Sequence, residues 1–276
     1  MPKSHITKIA LSFDDGALDG YTNIFPLLKK YNLPATFNIV SGYLDQNTCG
    51  VEKPFPALTW EMVREMSMSS LIEIANHSSN HTNKWYAIAE GRKEIISELK
   101  KPISTMIGFA SPESKLIGAG MLSNKQQFIN LGISYVRTGM RIRSHNMGRI
   151  AARKIGRIMH LGWIYKIAYR DTLLDKEDNF FLYSVPVMKD TTTNQLIALI
   201  EYARSEDKNV IILLHRVKKL GEAGYNDSWS WDYGKFECLL QYLHDEWLSG
   251  HIEMLKTQDM IKQCNNSGAM MQGKEG

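Results

Sequence analysis

The chain has 276 residues, 43% hydrophobic and 22% charged, with a net charge of +4. That length can bury a substantial core, and the composition excludes a disordered or fibrous chain. No apolar run approaches the roughly 18–20 residues needed to span a bilayer, and the N-terminus lacks a secretory-signal pattern, so a cytoplasmic protein is expected. Three widely spaced cysteines (Cys49, Cys238, Cys264) indicate neither a disulfide framework nor a CxxC metal site.

Short apolar runs alternate with helical patterns along the chain. Ile6–Phe13 reads as a strand, followed by the loop DDGALDG; Tyr21–Tyr31 has helical spacing and Ala35–Val40 is a buried strand. Trp60–Met68 reads as a helix, with Thr59 as N-cap and Glu61 in its first turn, and Leu71–Ala75 as a strand. Then come a helix at Glu90–Lys101, a strand at Thr105–Ala110, a helix at Lys125–Leu131 and a strand at Ile133–Arg137. Further on, Phe181–Val187 reads as a strand, Asn194–Ser205 as a helix and Asn209–Leu214 as a strand; Lys235–Ser249 and Ile252–Leu255 are the last helix and strand. Strands alternating with helices indicate a parallel α/β architecture, and about eight strand candidates favour a (β/α) barrel over an open sheet. One domain over 1–264 is expected, with a polar tail at 265–276. Residues 137–170 break the alternation as a basic, irregular insertion or lid, with nine Lys/Arg and no acid.

Three clusters carry chemistry. Asp14 and Asp15 follow the first strand, and adjacent carboxylates there need a cation or hydrogen bonds. His77 and His81 are four residues apart, which on a helix would place both imidazoles on one face and within reach of one ion. His215 follows the IILL strand as the aspartates follow theirs. Each cluster lies at the C-terminal end of a separate predicted strand, the edge where parallel α/β folds bind ligands.

Together these residues resemble the polysaccharide deacetylases (NodB homology, carbohydrate esterase family 4). SFDDG resembles the first motif, EIANHSSNH the second and IILLH the last, and FPLLKKYNLPATFNIV and LTWEMVREM resemble stretches between the first two. The likeness is close from about residue 6 to 112 and returns near 209–216. It implies a distorted (β/α)7–8 barrel and a divalent metal, zinc in most members and cobalt or nickel in others. By position Asp15, His77 and His81 would be its ligands, Asp14 the general base acting on metal-activated water, and His215 the general acid at the leaving amine. Two histidines and a carboxylate leave coordination positions open for water and a carbonyl, in agreement with that implication.

The third motif departs from the family. Its counterpart is Phe109-Ala-Ser-Pro-Glu-Ser114: Pro112 matches, Ala110 stands where the family has an arginine holding the base, and Glu113 replaces a tyrosine. The arginine tether is therefore expected to be missing. An oxyanion donor from the backbone near Pro112 and Glu113 needs no side chain and is retained in the reading. Arg216 follows His215 where an acid is common, which leaves the partner that orients His215 unidentified.

Residues 145–169 mix basic positions at helical spacing (Arg149, Arg153, Arg157) with apolar ones. They are expected to meet an anion, as a charged sugar carrier or as peripheral contact with an acidic membrane surface, and nucleic acid is not expected because the rest of the chain is net acidic. The expected substrate is an N-acetylated or N-formylated amino sugar in a glycan, lipid-linked or activated-sugar pathway, with hydrolysis at a linear amide C–N bond. A catalytically altered carbohydrate-binding relative is the alternative. Magnesium-dependent phosphoryl chemistry is disfavoured, because Mg²⁺ prefers all-oxygen ligands.

Overall fold

A computed structural model describes residues 6–45, 55–114, 124–140, 147–175 and 180–261. Eight helices occur among them: α1 (Phe25–Lys30), α2 (Trp60–Met68), α3 (Trp85–Glu98), α4 (Lys125–Asn130), α5 (Met147–Met159), α6 (Gly162–Tyr169), α7 (Thr193–Ser205) and α8 (Tyr233–Leu248). The strands are β1 (Thr7–Phe13), β2 (Ala35–Ile39), β3 (Ile72–Asn76), β4 (Ile107–Ala110), β5 (Ile133–Thr138), β6 (Phe181–Tyr183), β7 (Val185–Pro186), β8 (Val210–Leu214), β9 (Arg216–Lys218), β10 (Ser230–Asp232) and β11 (Ile252–Met254).

The main sheet runs β6-β5-β4-β3-β2-β1-β8-β7, with β11 also paired to β1 and every pairing parallel. The sheet nearly closes into a barrel, because its two terminal strands are consecutive in the chain. The expected single strand at Phe181–Val187 is divided at Ser184, with β6 on β5 and β7 on β8. Ser184 fixes the divide by donating its hydroxyl to the Thr138 carbonyl at 2.8 Å.

β1 lies at the centre and reads as a continuous apolar run because both of its faces are covered; Ile9, Ala10 and Leu11 are completely buried. Around it, Phe13 stacks on Phe37 and meets Phe236 of α8 edge-on. Local signals set several helix ends. Thr59 Oγ1 accepts from the Met62 amide at 3.2 Å, capping α2 as expected. Thr192 and Gln195 form a reciprocal capping box on α7.

Two further expectations require correction. The helix predicted at Glu90–Lys101 begins earlier, at Trp85, because the apolar residues Ala87 and Ile88 are buried against the sheet. The basic stretch is helical in its described part rather than irregular, forming α5 and α6, while Arg137 at its start belongs to β5. Positions 141–146, the 265–276 tail, Cys49 and Cys264 fall outside the described residues.

Candidate active site

Strand register brings the chemical residues together. Phe13 pairs with Phe37 and with Leu214, so Asp14, Asn38 and His215 leave three adjacent strands at one level. Farther round the barrel, Asn76 pairs with Phe109 and Ala110 with Arg137, which sets His77, Ala110 and Arg137 at the same C-terminal rim.

The Asp-Asp-Gly turn reverses the chain through two left-handed residues, Asp15 (φ 76°) and Gly16 (φ 82°). Aspartate tolerates this conformation better than most side chains, and glycine adopts it at no steric cost. The turn is pinned by the Leu58 amide, which donates to the Gly16 carbonyl at 2.9 Å.

Asp14 is buried, and its two oxygens have different surroundings. Oδ1 accepts from Asn38 Nδ2 at 2.8 Å and from Arg137 Nη2 in a short buried ion pair. Oδ2 lies 3.9 Å from His77 Nε2, toward the other site residues. Asn38 is itself fixed, donating to Ser12 Oγ at 2.8 Å and to the Phe13 carbonyl at 3.1 Å. The arginine missing from the third motif is thus supplied by Arg137 of β5, and the expectation of an absent tether is wrong. Arg137 is fully buried, and among the described residues its Nε and Nη1 find no hydrogen-bond partner, so Asp14 is the group that compensates its charge.

His77 and His81 are brought together by a loop, not by the helical turn their spacing suggested. His77 directly follows β3, and the chain then turns through positive φ at Ser78 (66°) and His81 (56°). Each Nε2 stands 3.4 Å from Asp15 Oδ1, and the ring centroids are 5.0 Å apart. His77 Nδ1 is 2.8 Å from the Ala110 carbonyl and must donate there, which turns the lone pair of Nε2 toward Asp15. Burial pushes the Asp15 carboxyl up, but the His77 and His81 rings beside it and the nearby His215 outweigh it and hold the group well below the usual carboxylate range.

A divalent cation fits this cluster. Potential ligand atoms of Asp15, His77 and His81 all lie within 4.8 Å of one another. The two histidines and the carboxylate are a donor set suited to zinc and similar ions. The loop is braced from behind: Asn76 Oδ1 accepts from the Ser78 amide at 2.8 Å while its Nδ2 donates to the Ile88 carbonyl at 2.8 Å.

His215 follows β8 as expected. Burial lowers its pKa, an effect that Asp15 and Asp14 partly offset. Among the described residues no acid is hydrogen-bonded to its ring. Instead Trp229 packs against the imidazole with centroids 4.5 Å apart, while Arg216 pairs with Asp227 at 3.0 Å. His215 Nδ1 is buried without a hydrogen-bond partner among the described residues. Pro112 is buried and Glu113 exposed with φ 54°. The Pro112 carbonyl accepts from Asn83 Nδ2 at 2.9 Å, which ties this turn to the segment after His81.

The sequence reading missed Arg137, Asn38 and Trp229 as parts of the site. A buried polar residue at a strand end signalled Asn38; nothing local distinguished Arg137 from the basic run beside it.

This barrel and the residues on its rim resemble those of the polysaccharide deacetylases. Residues 2–128 match the family model described as polysaccharide deacetylase, a stretch that includes Asp14, Asp15, His77 and His81 and ends before Arg137 and His215. Over 80 residues the chain is 36% identical to the poly-beta-1,6-N-acetyl-D-glucosamine N-deacetylase of Escherichia coli K12, covering 26% of this chain and 12% of that protein. The same-named protein of Escherichia coli O157:H7 gives the same values. This chain therefore matches only about an eighth of the length of those curated relatives. A crystal structure from Mycobacterium smegmatis, assigned to the polysaccharide deacetylases, shares the fold with a TM-score of 0.54 at 12% identity, covering 97% of this chain and 93% of that one. The first part of the chain is thus similar to the polysaccharide deacetylases, and the barrel shares the fold of that Mycobacterium smegmatis structure.

Proposed function

We propose that this protein is a metal-dependent amide hydrolase that removes an N-acetyl or N-formyl group from an amino sugar. The observation that carries the reading is the division of labour in the Asp-Asp pair. Asp14 is tied at Oδ1 by Asn38 and Arg137, whereas Asp15 faces His77 and His81.

Asp15, His77 and His81 would hold the ion. The chemistry such an ion supplies is Lewis acidity toward a carbonyl and toward water. Asp14 Oδ2 takes the proton of the attacking water, and the Arg137 guanidinium stabilises the carboxylate needed for that role. As water adds to the carbonyl carbon, charge develops on the carbonyl oxygen, and the backbone N–H at Glu113, beside Pro112, is the donor proposed for it. His215 delivers a proton to the nitrogen as the C–N bond breaks, leaving a carboxylic acid and a free amine. The burial that lowers its pKa makes the charged imidazole a stronger acid than free histidine.

The activity of the Escherichia coli relatives supports an N-acetylglucosamine-containing glycan as the first substrate to try. The cationic composition of residues 147–170 supports an anionic or lipid-linked carrier. The test is acetate or formate release from neutral, phosphorylated and lipid-linked acylamino sugars, after chelation and after restoring zinc, cobalt or nickel. Release that disappears on chelation and returns with one of these ions is expected. Release that is indifferent to chelation would refute the metal dependence, and release absent with every substrate and ion would favour a carbohydrate-binding relative instead.

A further inference from the structure

Helix α5 is inside out. Its exposed face carries Met147 (81% exposed), Ala151, Lys154, Ile155 (49%) and Ile158 (65%), at the three- and four-residue spacing of one helical stripe. The face turned toward the protein carries Gly156 and Arg153, the latter only 7% exposed. A side chain at Gly156 would meet Ile164 of α6 at 3.1 Å, so glycine permits the two helices to approach. Helix α6 continues the pattern: Tyr165, Ala168 and Tyr169 are buried, while Trp163 (58%) and Ile167 (43%), four residues apart, face outward. Of the fifteen large apolar side chains exposed among the described residues, seven fall within positions 147–167. Such concentration marks a surface that another phase or molecule covers.

Charge selects the occupant. Residues 138–170 hold eight Lys/Arg and no Asp or Glu in sequence, and of the described side chains Arg153 is buried while Lys154 and Arg170 are exposed. A second copy of the chain would bring like charges face to face across a two-fold interface. Nucleic acid would meet the cations but leave the apolar stripe uncovered. An anionic lipid leaflet satisfies both features, taking the isoleucines, methionines and Trp163 at the acyl boundary and Lys154, Lys166 and Arg170 at the headgroups.

We infer that the outer face of α5 and α6 is a peripheral docking surface for an anionic membrane. This inference does not rest on the hydrolase reading, because its test measures binding alone.

The experiment is flotation of the full chain with vesicles of phosphatidylcholine alone and of phosphatidylcholine mixed with phosphatidylglycerol. Co-flotation with the anionic vesicles, weakened by added salt, is the expected result. The double variant Ile155→Asp/Ile158→Asp should bind about tenfold more weakly or worse, since each change removes an apolar anchor and adds an anion. Met147→Asp should weaken binding independently. These positions are exposed, and circular dichroism verifies that each variant keeps its fold. Equal binding to both vesicle types, binding to neither, or unaltered binding by the variants would overturn the inference. So would a lipid-free dimer that dissociates on the Ile158→Asp change, which would assign the face to a second copy.

Discussion

Replacing Arg137 by methionine removes the arginine paired with Asp14 and leaves a buried carboxylate with Asn38 as its remaining side-chain hydrogen-bond donor among the described residues. Both partners are buried, Arg137 at 0% and Asp14 at 5% exposure, so solvent screens the pair little. Breaking such a pair from one side costs about 3–5 kcal/mol. For a chain of this size, at roughly 2–4 °C per kcal/mol, that lowers the melting temperature by roughly 6–20 °C. Asp14→Asn should cost a comparable amount for the opposite reason, because Arg137 then keeps a buried charge while its Nε and Nη1 already lack partners. The double variant Arg137→Met/Asp14→Asn contains neither orphaned charge, so its loss should fall short of the summed single losses by about 1–3 kcal/mol. Chemical and thermal unfolding in the presence of chelator, read by circular dichroism, give all four corners of the cycle without a metal contribution. Single losses that add within about 0.5 kcal/mol would show that Arg137 and Asp14 act independently.

Gly91 of α3 lies against the loop that carries His77 and His81, and a Cβ there would sit 2.5 Å from Asn76 Oδ1 and 2.7 Å from the Ser78 carbonyl carbon. Gly91→Ala should therefore cost about 1–3 kcal/mol and weaken zinc affinity together, as read by melting and calorimetry; a variant unchanged in both would refute the loop's dependence on this contact. Zinc at a hundredfold excess over its dissociation constant should stabilise the wild type by about 2.7 kcal/mol, and His77→Ala or His81→Ala should abolish that gain in a thermal-shift titration. Away from the rim, burial raises the Glu73 pKa despite donors from Gln258, Thr36 and Tyr135. The folded protein thus holds this proton more tightly than the unfolded chain. Its contribution is present at acidic pH and lost as pH climbs from about 4.3 through the raised folded value. Urea titrations across that window should show the wild type losing stability relative to Glu73→Gln, and parallel curves would contradict it.

Features decided by neighbours in the chain were legible in the sequence. The Thr59 cap and α2 fall where local chemistry places them, and the apolar run of β8 marks a strand buried on both faces. Features decided by distant partners were not. β6 and β7 divide one extended run because its halves pair with strands on opposite ends of the sheet. Arg137 lies 123 residues from Asp14 and opens a cationic run, so composition grouped it with the insertion and hid its place on β5. The four-residue spacing of His77 and His81 fitted a helix, but left-handed residues in a loop deliver the same convergence. Arg153 was grouped with a cationic face by its spacing, yet its position on α5 turns it inward.

The central claim is that Asp14 does proton chemistry beside a metal held by its neighbours. Its most direct test is acetate release by zinc-loaded wild type and Asp14→Asn on N-acetylglucosamine oligomers, with bound zinc measured in the same samples. The account predicts turnover by the wild type and a loss of about 10²–10⁴-fold in the variant, with its zinc retained. Equal turnover by both proteins, or a variant that loses activity only because it has lost zinc, would contradict it.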